Sequence, residues 1–248
     1  MAAEFDRGVG AVQLDDVLIV EGDKPLAHLQ HLANAAENRF FYNGRAALGL
    51  PVLLRGTGMA IKAEVLKAYS YKSHSVTEDI DYAVDLLMGG VRITYTMDSA
   101  VYSAATSTYD QSVSQKERWA AGTFSLIGKR AFRLVKTGLT RGRFGLLELA
   151  FSLLILSRPV LIYVGIVAVL LSILASSGLR IYFALWGTAL VAILVLYLLS
   201  GVFLVKDKKS AFKGVLHAPY YGFWLLTVQL RALFRPGRVR WTRTERKD

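Results

Sequence analysis

Between Pro159 and Val205 the chain carries one charged residue, Arg180. Pro159 to Ser177 is a run of 19 uncharged residues, and Ile181 to Val205 a run of 25. About 20 apolar residues in helical form cross the hydrocarbon of a bilayer, where every backbone polar group must be satisfied within the segment. The sequence therefore predicts two spanning helices, 159–177 and 181–205, joined by the short link Gly178-Leu179-Arg180 into an antiparallel hairpin.

Charge is distributed around that hairpin in a pattern. Residues 1–110 hold nine Lys/Arg against fourteen Asp/Glu, residues 111–158 nine against two, and residues 206–248 eleven against three. A nucleic-acid binder places its basic residues on a folded polar domain. Here they flank the apolar runs, which is how cytoplasmic loops are marked beside membrane spans. The overall charge of +11 thus reads as membrane topology, with both ends of the hairpin cytoplasmic and no nucleic-acid partner. Cysteine is absent, which excludes disulfides and thiolate metal sites. Met1 to Gly10 contains Glu4, Asp6 and Arg7 without an apolar core, so no secretory signal is expected there.

The acidic first part, 1–110, reads as α/β. Val9 to Val20 is strand-like, broken by Asp15-Asp16. Gly22-Asp23-Lys24-Pro25 is a helix start with Asp23 as the expected cap and Pro25 in the first turn. The helix that follows buries Leu26, Leu29, Leu32, Ala33, Ala36 and Phe40. His28 and His31, three apart on it, make a weak candidate ligand pair with no third ligand at useful spacing. Pro51 to Ile61 reads as an apolar strand interrupted by Gly56-Thr57-Gly58, which signals a bulge or a close backbone approach. Lys62 to Tyr69 reads as a short helix, and Val91 to Thr96 alternates like a strand. The run from Ser75 through Val76, Thr77, Glu78, Asp79, Ile80 and Asp81 opens a helix over 78–88. Thr77 can cap it, and the carboxylates of its first turn complement the helix dipole. That accounts for most helices of this kind; the other reading places one carboxylate in a cleft as general base.

From Gln111 to about Val135 the pattern becomes a basic amphipathic helix, with Val113, Trp119, Phe124, Ile127, Phe132 and Val135 apolar and Lys116, Arg118, Lys129, Arg130, Arg133 and Lys136 basic. Such a helix suits the headgroup region, partly beneath a soluble domain. Within it Gln115, Arg118 and Trp119 stand at i, i+3 and i+4 and share one face. An amide, a guanidinium fork and an indole aimed at one place can hold a diphosphate and stack a sugar ring; a Trp and Arg can equally mark a membrane interface. Residues 146–157 are apolar but short and read as interfacial. Phe212 to Phe234, aromatic-rich with basic flanks, reads as an interfacial or re-entrant segment within the basic region 206–248.

Together, Gly56-Thr57-Gly58-Met59-Ala60-Ile61, Thr77-Glu78-Asp79, Gln115-x-x-Arg118-Trp119 and the hairpin resemble the membrane glycosyltransferases of family 2, the cellulose, chitin and hyaluronan synthase-like branch. The resemblance covers the chain from Val9 onward. It implies part of a GT-A-type, Rossmann-like domain followed by the interface helix and the transmembrane hairpin. By the same resemblance Asp79 is the general base toward the acceptor hydroxyl. Glu78, Thr77, Gly56, Thr57 and Gly58 line the cleft with it, and Gln115, Arg118 and Trp119 bind the nucleoside diphosphate and shape the acceptor end. The implied reaction is inverting transfer of a hexosyl unit from a nucleotide-diphosphate sugar to a polysaccharide or a lipid. The resemblance also implies a divalent metal, Mg or Mn, held by an Asp-x-Asp motif that this sequence lacks, Asp15-Asp16 being adjacent. The expected chain is therefore the acceptor half of such an enzyme, working with a separate donor half or as part of a split synthase; the competing reading is an inactive interaction module. The ending Trp241-x-Arg243-Thr244-x-Arg246 looks like that of bacterial members, which places the expected enzyme in a bacterial-type plasma membrane, multi-pass, with its catalytic part and C-terminus cytoplasmic.

Overall fold

In the computed structural model, residues 2–71, 77–106, 108–155 and 158–234 are described. The sequence features at Ser75, Val76 and the tail from 235 onward, including Trp241, Arg243, Thr244 and Arg246, lie outside them.

A short helix α1 (Ala2–Asp6) precedes strand β1 (Ala11–Ile19), the centre of a three-stranded sheet. On one side β1 pairs antiparallel with β2 (Met59–Ile61), Val12 opposite Ala60. On the other it runs parallel to β3 (Ile93–Ala104), with a register shift between Leu14 and Asp15. The alternating apolar residues Val91 to Thr96 predict only the first part of β3. Its continuation to Ala104 is exposed on alternate residues and is held by backbone pairing with Asp15–Ile19, so it left little hydrophobic signal. The reverse error occurs at Pro51 to Arg55. Val52, Leu53 and Leu54 are buried, yet they join no sheet, and the strand begins only at Met59. Their apolar run reports core burial without strand pairing.

Helix α2 (Pro25–Ala36) begins one residue later than expected. Lys24 is its N-cap and makes no capping side-chain bond; Asp23 instead pairs with Lys213 at 2.5 Å and faces His28 at 3.3 Å. His31 Nδ1 donates to the Leu18 carbonyl (2.6 Å), so the two histidines have separate structural partners. The helix runs through a π-helical stretch, Glu37–Tyr42, into α3 (Asn43–Ala47). Phe40, expected on the buried side, is 49% exposed because the wider π turns rotate it outward. Helices α4 (Ala63–Ala68) and α5 (Glu78–Met88) fall where predicted. Thr77 occupies the N-cap position of α5 but makes no capping side-chain bond; it is buried, and a Cβ at Gly122 would collide with it.

The basic helix is longer than predicted: α6 spans Tyr109–Thr140, and α7 spans Phe144–Ile155. Leu126 and Leu134 of α6 and Leu146, Leu149 and Leu153 of α7 enter the same core as Val52, Leu54 and the apolar face of α5. The opposite side of α6 bares Phe132, Val135 and Leu139 beside Lys129, Arg133 and Lys136. Two apolar faces, one buried and one outward, replace the single stripe of a simple amphipathic helix. Arg143, in the turn between α6 and α7, donates to the Leu87 and Met88 carbonyls (2.9 and 3.1 Å), satisfying the C-terminal end of α5.

Helix α8 (Arg158–Leu174) packs along α9 (Ser177–Leu204). Arg180 lies inside α9 and the turn sits at residues 175–176, so the expected link was misplaced by a few residues. Among the described residues α9 is the one helix long and apolar enough to cross a bilayer, with a mean hydropathy of 2.4. At 17 residues, with its apolar part at Val160–Leu174, α8 falls short of that length. Two full spans are therefore not established, and α9 by length and composition alone is weak support for membrane association. The aromatic segment from Phe212 is one continuous helix, α10 (Lys208–Phe234), packed along α2 and α6. Close backbone approaches lock α2 to both last helices. A Cβ at Gly201 of α9 would strike the Leu32 carbonyl, and one at Gly214 of α10 would sit 2.7 Å from Leu29 N.

Arg45 ties α3 to α7. Its buried guanidinium meets both oxygens of Glu148 (2.6 and 2.5 Å), Ser152 Oγ and the Pro51 carbonyl. Removing one partner strands a buried charge. Glu148→Gln is expected to lower stability by about 1.5–3 kcal/mol, read as a shift of the denaturation midpoint in detergent.

Candidate active site

The site begins with a buried amide in β1. Gln13 is fully buried. Its Oε1 accepts from Arg55 N (2.8 Å), and its Nε2 donates to the Thr57 carbonyl (2.7 Å). These bonds hold the loop Arg55 to Gly58, whose backbone has no strand partner until Gly58 O accepts from Leu14 N (2.8 Å). Gly56 and Gly58 have φ of +78° and +70°, a region that favours glycine. The turn brings Gly56 against Asp79: a Cβ added at Gly56 would lie 3.1 Å from Asp79 Oδ2. The loop and the Thr77-Glu78-Asp79 motif, separate in sequence, are thus neighbours in space.

Asp79 is the second residue of α5, and its Oδ1 accepts from Ile80 N (2.8 Å). Burial raises its pKa to about 6; Glu78 beside it adds to the rise, while the Ile80 amide and the Arg55 guanidinium oppose it. Arg55 in turn lies over the Tyr42 ring at 4.7 Å and donates to Asn38 Oδ1 (2.6 Å). Asn38 donates to Asp15 Oδ1 (2.7 Å) and the Asp16 carbonyl (2.9 Å), and the Tyr95 hydroxyl also donates to Asp15 (2.6 Å). A continuous polar network therefore runs from β1 through the π-helical stretch to the loop facing Asp79.

Beyond Arg55 opens a cavity of about 410 Å³ between the ends of β1 and β3 and helices α2, α6, α8, α9 and α10. Gln115, Lys116 and Trp119 of α6 line it, and Asp16, Glu37, Arg55 and Arg158 add further charge to that of Lys116. Trp119 is half-exposed, with Lys116 Nζ 4.3 Å from its ring centre. Burial lowers the Lys116 pKa to about 8, with Glu37 pulling it up and Arg55 pushing it down. Burial would raise Glu37, but Arg158, Arg55 and Lys116 together hold it below the ordinary value; Arg158 Nη1 bonds it at 3.1 Å. Helices α5 and α6 are pinned together by Arg130, which bridges Asp81 (2.9 Å) and Asp85 (3.0 Å).

The model of Glycosyl transferase family group 2 matches residues 1–205. The chain belongs to that family. No curated protein matches it. As a family 2 glycosyltransferase domain it has a small mixed sheet surrounded by helices, consistent with part of a GT-A-like fold.

Within this glycosyltransferase domain the predicted residues fall into two groups. Gly56, Thr57, Gly58, Thr77, Glu78 and Asp79 gather at the loop and the start of α5. Gln115 and Trp119 line the cavity, whereas Arg118 is not among the lining residues and its neighbour Lys116 is. Arg55 lines the cavity and also acts on Asp79, so it joins the two groups. The resemblance implied a divalent metal, and the residues present do not fit one. Asp15 and Asp16 are successive on a strand and point to opposite faces, each with its own donor, Tyr95 and Ser103. Among the described residues no three His, Asp or Glu side chains gather as a ligand set. Sequence reading missed Gln13, Arg55 and Asn38. A lone amide in the apolar stretch Ala11-Val12-Gln13-Leu14 was the available signal, since a buried amide must find partners.

The raised pKa of Asp79 has a consequence for stability. The folded chain holds this proton more tightly than the unfolded chain, whose value is the ordinary 3.8. That contribution is complete below about pH 3.8 and is lost as pH rises through about 6. Asp79→Asn is therefore expected to be more stable than the parent at about pH 7.5, on the order of 1–3 kcal/mol, with the difference vanishing below about pH 4. Denaturation midpoints of the two proteins across that range measure it.

Proposed function

We propose that this domain works as the acceptor-side catalytic part of an inverting, membrane-bound glycosyltransferase, moving a hexosyl unit from a nucleotide-diphosphate sugar to a polysaccharide or glycolipid acceptor. The observation that carries the reading is Asp79. It is a carboxylate at a helix start, faced by a glycine turn that leaves room beside it, and burial tunes it to about 6. A base of that strength is largely ionised at neutral pH yet still takes a proton readily, near the optimum for general-base work.

In the proposed step Asp79 takes the proton of an acceptor hydroxyl as its oxygen attacks the anomeric carbon. The new carbon–oxygen bond forms on one face while the bond to the diphosphate oxygen breaks on the other, and the diphosphate departs with the electron pair. Gly56-Thr57-Gly58 shapes the acceptor path, Thr77 and Glu78 set the start of α5, Trp119 offers a platform for a sugar ring, and Gln115 and Arg118 receive the diphosphate. Helices α8 and α9 enter a plasma membrane and return as a hairpin, and the basic flanks put the catalytic part and the C-terminus on the cytoplasmic side.

The test is sugar transfer by the membrane-embedded chain supplied with nucleotide-sugar, alone and with a donor-binding polypeptide. The rate should rise with pH and level off above about 6, because the base must be ionised. Asp79→Asn should lower kcat by about 10²–10⁴ with little change in KM. Transfer that survives this substitution removes Asp79 from its role.

A further inference from the structure

The cavity beside Trp119 combines apolar walls with a few polar groups. Its walls from β1, α2, α8, α9 and α10 include Leu18, Leu29, Ile162, Leu194, Leu198 and Leu225, which offer no hydrogen bonds along their length. Polar groups collect at specific places. Lys116, Arg55 and Arg158 face Asp16 and Glu37 there, an excess of one positive charge. Glu37 is engaged by Arg158 and Asp16 by Ser103, whereas the ammonium of Lys116 rests on the Trp119 ring. Two further lining atoms, Gln30 Nε2 and Tyr197 Oη, are shielded from solvent without a hydrogen-bond partner among the described residues. Unpaired buried polar atoms are costly, and both of these can donate to an oxygen. The volume, about 410 Å³, falls in the range of ligand sites with apolar walls and few placed polar groups.

We propose that this cavity takes an anionic amphiphile, an aliphatic chain carrying a phosphate, and that the acceptor is lipid-linked through such a phosphate. The chain lies against the leucines, and Lys116, Gln30 and Tyr197 meet the phosphate oxygens. The acceptor role rests on the transferase reading above; occupancy of the cavity does not.

The experiment uses the full chain in nanodiscs of zwitterionic lipid and a diazirine-bearing alkyl phosphate, with labelled residues located by mass spectrometry. Labelling should fall on the cavity walls of α2, α9 and α10 and be displaced by dodecyl phosphate, but not by the same concentration of dodecyl maltoside or inorganic phosphate. Lys116→Gln should raise the displacing concentration about tenfold or more. Two filling substitutions on different helices, Ala33→Phe and Gly222→Leu, should each suppress labelling in protein shown to be folded by its melting transition. Displacement by maltoside as effective as by dodecyl phosphate overturns the phosphate, and displacement by inorganic phosphate overturns the amphiphile. Labelling undiminished in both filled variants overturns the site. Labelling needs no turnover, so a chain that binds the probe but transfers no sugar retains this inference and loses the reading beneath it. Transfer to a soluble oligosaccharide, undiminished in the filled variants, sinks the lipid-linked acceptor and leaves the transferase standing.

Discussion

The arrangement around Asp79 depends on one buried side chain. Gln13 sits in the central strand where an apolar residue would pack more cheaply, and its amide replaces the backbone partner that the Arg55–Gly58 segment lacks. Because the amide both accepts and donates, it fixes the direction of that loop as well as its distance. The glycine turn then meets the start of α5, and Arg55 reaches the π-helical stretch through Asn38. A network of this kind specifies a geometry only while every member is satisfied. Here Asp15, Asn38, Arg55 and Tyr95 all have partners.

Much of the fold was legible from the sequence because two signals agreed. Glu78–Met88 carried a recognisable start, Lys62 to Tyr69 read as a short helix, and α5 and α4 lie where expected. The failures share a cause: periodicity reports burial, not pairing. Val52 to Leu54 is apolar because it enters the core formed with α6 and α7. The second half of β3 pairs fully with β1 while keeping alternate residues exposed. The shortfall at α8 is different in kind. A run of uncharged residues counts Ala175 and Ser176 as part of a span, while the chain uses them to turn.

The candidate site was visible in the sequence as separate motifs and not as connections between them. The loop facing Asp79 and the α6 residues were both apparent as patterns, and the structure sets the first pair together through the clash a Cβ at Gly56 would make. What joins them to the cavity is Arg55, a residue that belongs to no periodic pattern and owes its place to Gln13 and Asn38. Helical spacing put Arg118 on the face of Gln115 and Trp119, yet Lys116 is the α6 cation among the cavity's lining residues. A 100° step per residue places i, i+1 and i+4 within one broad face, so the choice between neighbouring cations is made by what packs opposite them.

The contacts of Gly201 and Gly214 with α2 bear on how the protein can be handled. The face of α2 carrying Leu29 and Leu32 is covered by α9 and α10 rather than by the sheet domain alone. The sheet-bearing part and the apolar helix α9 therefore share α2 as a packing partner. Cutting the chain ahead of α8 would lay bare the α2 face that carries Leu29 and Leu32, and Leu29 is also part of the cavity wall. A shortened chain has to be redesigned along α2.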